Sequence, residues 1–371
     1  MAVGKEQLAI LPTAFCQLPT SRLNVYLQLY FVKCYYLLSS EFISMPLDLN
    51  TLTGIINKEI SSYNYGDAPK ELYEPIRYIL ALGGKRSRPL LTLLGNYLFS
   101  DNIQQAIKPA VGIELFHNFT LMHDDIMDAA PLRRGKPSVH NKWDQNIAIL
   151  SGDVMLIKSY ELISQVTDDK IKKVIGRFNE CASKVCKGQQ LDLNFEKVYD
   201  VSIHQYIEMI THKTAALLGF SIELGAIIGD ADEKDTELLR EFGTNVGIGF
   251  QIKDDLLDVY AEQGKSGKLV GGDIIANKKT FLLLLALQNA NKYEYKALND
   301  WLNIKDSQQN GDKKVKAITE IYDSLNIKKD TEKEMSKYFQ KSFETLEKVS
   351  SDAEKIAILK DFAIKLIDRN R

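Results

Sequence analysis

From residue 47 to the end of the chain, apolar residues recur at helical spacing, and no stretch alternates apolar with polar. That pattern excludes a fold built on sheets. Residues 72–82 have helical periodicity and close on Gly83-Gly84, a helix stop. Pro89 is placed to open the next helix, through about residue 99. Further helices are predicted over 109–128, 147–166, 170–195, 203–228, 233–258 and 279–289, with a basic loop at 131–136. The Gly/Lys-rich segment 264–272 reads as a loop able to act as a lid. Beyond 289 the chain is Lys/Glu-rich helix with a polar break at 306–312. No linker interrupts the 371 residues, so the expectation is all-α: a single large helical bundle around a central cavity.

The first 44 residues differ. Residues 22–43 are apolar and tyrosine-rich, but Arg22, Gln28, Lys33 and Glu41 interrupt them, which argues against a spanning helix. No small-residue cleavage site follows, so a secretory signal fits poorly. The expectation is that Met45 is the true start, 1–44 an upstream extension and 45–371 the working domain. Charge is nearly balanced, 47 Lys+Arg against 49 Asp+Glu. There is no global field for nucleic acid or an anionic membrane, and any anion site must be a local cluster. The four cysteines have no metal-ligand spacing, which points to a reduced, cytoplasmic protein.

Two copies of one pattern carry the chemistry: Asp124-Asp125-Ile126-Met127-Asp128 and Asp254-Asp255-Leu256-Leu257-Asp258. On a helix the first and last aspartate of each lie four apart, on one face. Six gathered carboxylates would repel and hold protons. Hard divalent cations relieve that, and Mg²⁺ is commonly shared between a few carboxylates and substrate phosphates. The implied site is a cavity in which metal ions carry a phosphorylated ligand.

Cations stand in local groups, as the balanced charge requires. Lys85, Arg86 and Arg88 sit at a helix amino end, where exposed N–H groups favour an anion. Arg133, Arg134 and Lys136 follow the first pattern closely, and arginine forks suit phosphate oxygens. His117 lies seven before Asp124 on the same face, whereas His123 points elsewhere. Lys213-Thr214 interrupts an apolar helix, so the lysine should face the anion. Gln251 precedes Asp254 by three; Lys268 and Lys278 follow across the glycine loop. Phe119 and Thr120, with Phe116 and Ile113 deeper, would line a tunnel beneath the metals.

These motifs, in this order, resemble those of the trans-isoprenyl diphosphate synthases, or polyprenyl synthetases. The resemblance covers residue 47 to the end. It implies an all-α homodimer that uses Mg²⁺, three ions with Mn²⁺ as a substitute, to join isopentenyl diphosphate to an allylic diphosphate. It implies no nucleic acid and no membrane insertion. By the resemblance Asp124, Asp128 and Asp254 are the metal ligands, supported by Asp125, Asp255 and Asp258, with Lys213 completing the catalytic set. Lys85, Arg88, His117 and Arg134 match the isopentenyl diphosphate site. Arg133, Lys213, Thr214, Gln251, Lys268 and Lys278 match the allylic site.

The first motif has two residues between its aspartates, without the two-residue insertion of the bacterial farnesyl type. Phe119 beside a small Thr120 resembles the geranylgeranyl-forming type, which gives C20 as the expected product and C15 or longer chains as alternatives. A terpene cyclase would carry an Asn/Ser/Glu motif in place of Asp254 to Asp258, and a non-catalytic partner subunit would have lost aspartates. Both are the more distant readings.

Overall fold

The structure, a computed structural model, describes residues 48–198, 200–261, 271–304 and 307–368. Its centre is a helix the chain could place nowhere else. In α9 (Ala216–Ile228) every residue from Leu217 to Ile228 is buried. Such a helix needs apolar neighbours on all sides. It finds α3 (Ser87–Tyr97), α4 (Gln104–Met127), α7 (Asp168–Phe195) and α10 (Glu233–Tyr260) packed around it. α3 packs close against it, because Gly225 lays bare backbone against the Thr92 carbonyl.

The remaining elements wrap this centre. α1 (Leu49–Ser62) and α2 (Lys70–Ala81) precede α3, and α6 (Gln145–Ile163) lies along α4 after the single turn α5 (Val139–Lys142). α8 (Ile203–Ile210) runs into a π-helical turn, Thr211–Ala215, and on into α9. After α10 come α11 (Gly272–Ile275), α12 (Phe281–Asn289), α13 (Lys292–Leu302), α14 (Ser307–Ser324), α15 (Ile327–Leu346) and α16 (Ala353–Asp368). Residues from Leu49 onward cluster as one unit.

Several boundaries differ from the sequence reading. Pro109 lies inside α4, which starts at Gln104. Pro89 sits at the third position of α3, still in the first turn, where its missing N–H costs nothing. The basic loop closes as a two-residue hairpin, β1 (Leu132–Arg133) against β2 (Lys136–Pro137), too short for alternation to show in sequence. Arg134 and Gly135 turn it with φ of 53° and 74°, the doubly positive backbone such tight hairpins require. α14 starts at Ser307 and so runs through most of the predicted polar break at 306–312. The extension 1–44, Lys268 and most of the 264–272 loop lie outside the described residues. Among the described residues, no helix is long and apolar enough to cross a membrane.

Candidate active site

Both aspartate patterns fall at the carboxyl ends of long helices, α4 and α10, and a cavity of about 550 Å³ opens between them. α4 lends it His117, Phe119, Thr120 and Asp124, and α10 lends Gln251 and Asp254. Lys213 and Thr214 enter from the π turn, and Arg88, Arg133, Arg134 and Lys278 border it. Most of the predicted site residues thus line one cavity; Asp125, Asp128, Asp255, Asp258, Lys85 and Phe116 do not line it.

Within each pattern the aspartates divide their work. Asp124 faces the cavity, and Asp128 caps α4. Burial and the neighbouring Asp124 push the Asp128 carboxyl above its usual range. Asp125 turns inward at 2% exposure, and Arg133 grips both its oxygens at 2.7 Å. The Arg133 guanidinium is therefore engaged with the first pattern itself. In the second pattern Asp254 lines the cavity, while Asp255 is buried. Asp258 accepts from the Asp273 N–H at 2.9 Å, which ties down the start of α11.

Lys213 lies between carboxylates, 3.1 Å from Asp124 Oδ1 and 2.6 Å from Asp192 Oδ2. Burial opposes its charge, but Asp124 and Asp192 outweigh burial and raise its pKa. The Lys278 ammonium is likewise raised, with burial again opposing and Asp273, Asp192, Asp255 and Asp128 outweighing it. Lys213 comes this close because Gly188 of α7 admits the π turn against bare backbone. The Thr214 hydroxyl donates to Gln251 Oε1 at 3.0 Å, and Gln251 Nε2 donates to Asp255 Oδ1 at 3.2 Å.

The other group of cations is mixed. Arg88 NH1 stands 3.2 Å from His117 Nε2. A guanidinium only donates, so Nε2 accepts and the imidazole is neutral with its proton on Nδ1. Burial, then Arg88, Arg134, Arg133 and Arg86, hold His117 well below its ordinary pKa. Burial also brings Arg88 down to about 10, still charged at neutral pH. Lys85 Nζ lies 5.2 Å over the ring of Phe250, which lines the cavity, but Lys85 itself does not line it. Arg86 does not join them. At 5% exposure it pairs with Glu114 at 2.6 Å and donates to Asn57 and the Leu80 carbonyl, so it braces the bundle.

The tunnel wall is only partly as expected. Phe119 and Thr120 line the cavity; Thr120 spends its hydroxyl on the His117 carbonyl at 2.8 Å. Phe116 and Ile113 are packed in the core at 1% and 0% exposure instead. Phe116 stands behind Phe119, ring centres 5.7 Å apart, and on its other side meets Phe178 at 5.1 Å. His123 turns towards α6, with Nε2 3.1 Å from the Ile149 carbonyl oxygen, but still borders the cavity beside Phe119. The opposite wall, Val185, Cys186, Gln189 and Leu193 of α7 with Leu217 of α9, was not read from the sequence. Nor was Asp192. The only signal was its place three residues after Gln189, one helical turn along α7.

Residues 69–322 match the family model described as polyprenyl synthetase. The chain is 39% identical over 268 residues to a short chain isoprenyl diphosphate synthase of Methanocaldococcus jannaschii, covering 71% of this chain and 81% of that protein. It is 35% identical to a geranylgeranyl diphosphate synthase of Sulfolobus acidocaldarius, covering 82% of this chain and 92% of the relative. A crystal structure of a geranylgeranyl pyrophosphate synthase superposes with a TM-score of 0.84 at 40% identity, over 88% of this chain and all of the other. The geranylgeranyl pyrophosphate synthetase from Pyrococcus horikoshii gives 0.79 at 34%, over 86% and 96%. In motif order, in fold and in the cavity that gathers the motifs, the chain belongs to the polyprenyl synthetase family of prenyltransferases.

Proposed function

We propose that the protein elongates an allylic diphosphate with isopentenyl diphosphate, in a Mg²⁺-dependent reaction that releases diphosphate and yields a C20 chain. The observation that carries this reading is one cavity lined by Asp124 and Asp254, one aspartate from each cluster, with the cations Arg88, Arg133, Arg134, Lys213 and Lys278 and with walls of Phe119, Thr120, Val185 and Leu217. Relatives named geranylgeranyl diphosphate synthase support the chain length.

Among the described residues, no three acidic, histidine or cysteine side chains converge on one point. The donor set still fits Mg²⁺, which takes one or two carboxylates and fills its shell with water and phosphate oxygens. Asp124, Asp128 and Asp254 would hold it. When bound, the metal draws charge off the departing diphosphate. Lys213, Lys278, Thr214 and Gln251 hold that diphosphate as its C–O bond breaks, a stabilisation of developing charge by fixed donors. Lys268 extends that set. Arg88 and Arg134, with Lys85 over Phe250, hold the second diphosphate beside neutral His117. The double bond of isopentenyl diphosphate attacks the allylic cation, and its proton leaves to the released diphosphate. Apolar walls keep out the water that would quench the cation.

Two copies pair in this reading. On α6, Leu150 and Ile157 are 57% and 58% exposed and seven residues apart, which puts them on one face. The free thiols of Cys181 and Cys186 support a reducing, cytoplasmic setting. Residues 45–371 form the catalytic domain.

The test is incubation with isopentenyl and geranyl or farnesyl diphosphate plus Mg²⁺, followed by chromatography of the dephosphorylated products. C20 alcohol is expected, and EDTA should abolish it. No chain-extended product from the folded protein would reject the reading.

A further inference from the structure

Asp255, the second aspartate of the second pattern, faces away from the cavity and receives hydrogen bonds from three directions. The Tyr206 hydroxyl of α8 donates to Oδ2 at 2.5 Å. The Phe281 N–H, one of the amides left unpaired at the amino end of α12, donates to the same oxygen at 3.0 Å. Gln251 donates to Oδ1 and itself accepts from Thr214. Tyr206 is 2% exposed, and its ring lies 6.1 Å from that of Phe281. The position of this knot in the chain matters. α8 leads within three residues to Lys213, and α12 begins three residues after Lys278. Asp255 therefore fastens together the two segments that bring Lys213 and Lys278 to the carboxylates, and does so from the helix that carries Asp254.

We propose that Tyr206 is a positioning residue. Its hydroxyl, acting through Asp255, sets the spacing of Lys213, Lys278 and Asp254 around the leaving diphosphate. This rests on the reading that a diphosphate departs from that side of the cavity. A conformational tie of this kind matters because catalytic groups must be held within a fraction of an ångström, and supporting hydrogen bonds do the holding.

Tyr206→Phe keeps the ring and deletes only the hydroxyl. The expected result is a fall in kcat of about tenfold and severalfold weaker binding of inorganic diphosphate with Mg²⁺, read by calorimetry. The KM for isopentenyl diphosphate should stay within twofold, because Arg88 and His117 lie outside the knot. Asp255→Asn tests the bond from its other end, and the double variant should lose little more than the worse single one, as expected for coupled partners. Equal changes in both KM values, a lower melting temperature with unchanged kcat and diphosphate binding, or additive losses in the double variant would overturn the proposal. If the wild-type protein made no product, the proposed function would fail. Diphosphate binding by wild type against Tyr206→Phe would still decide the role of the hydroxyl.

Discussion

Thr120 works as a gap. Its hydroxyl is taken by the His117 carbonyl, so the cavity meets only a small side chain beside the Phe119 ring. With a rise of 1.5 Å per residue, Phe119 lies roughly 7 Å below Asp124. Thr120→Phe should close the rest of that turn and shift the product towards C15. Phe119→Ala should lengthen it, but only to the next wall, because Phe116 stands behind and is itself wedged on Phe178. Chromatography of the products reads both, and an unchanged distribution in both variants would assign the limit to α7 or α9. Phe119 and Thr120 were legible because helical spacing places them under Asp124. Phe116 was misread as lining for the same reason: spacing tells which face a residue shares, not what stands in front of it.

At the scale of elements, close backbone approach decides where charges go. A Cβ on Gly188 would lie 2.6 Å from Lys213 Cα. Gly188→Ala should therefore force α7 and the π turn apart, costing about 1–3 kcal/mol as overpacking does, and should lower kcat by displacing Lys213. Gly176→Ala is the control. It lies on the same helix with nothing within 4 Å, so melting curves should show no loss and kcat no change. The central helix α9 makes a second test. Glu223 is 2% exposed, and burial pushes its carboxyl up to about 7 against the pull of Arg240 and Arg177. In the unfolded chain it ionises near the ordinary glutamate value of 4.5. Between those values the folded state binds more protons, so stability falls as pH rises through that window and levels off above it. From pH 5 to 8 this amounts to about 2.5 kcal/mol at 1.36 kcal/mol per pKa unit. Urea melts at pH 5 and pH 8 should show a loss of about that size in the wild type that Glu223→Gln lacks. Parallel pH dependence in both proteins would refute the assignment.

At the scale of the whole molecule, the proposed pairing of two copies rests on the outer face of α6. Leu150 and Ile157 are too exposed to support the fold of a single copy. Replacing both with glutamate should therefore change stability by roughly 0.5 kcal/mol or less at each site. Light scattering should show a dimer in the wild type and a monomer in the double variant. A wild-type monomer at micromolar concentration would remove the dimer from the proposed function.

Helical periodicity, two aspartate patterns and the order of the cations around them were enough to mark an all-α chain, a phosphate-handling cavity and most residues that border it. These are local or face-sharing properties, and a helix transmits them directly. The tertiary structure alone decided the rest. It sent Arg86 to Glu114 and Arg133 to Asp125, where the sequence shows only a run of like charges. It brought Asp192 to Lys213 across 21 residues and Tyr206 to Asp255 across 49. It built the far wall of the cavity from α7. Each of these depends on which helices pack together and how closely, and a one-dimensional spacing does not carry that information.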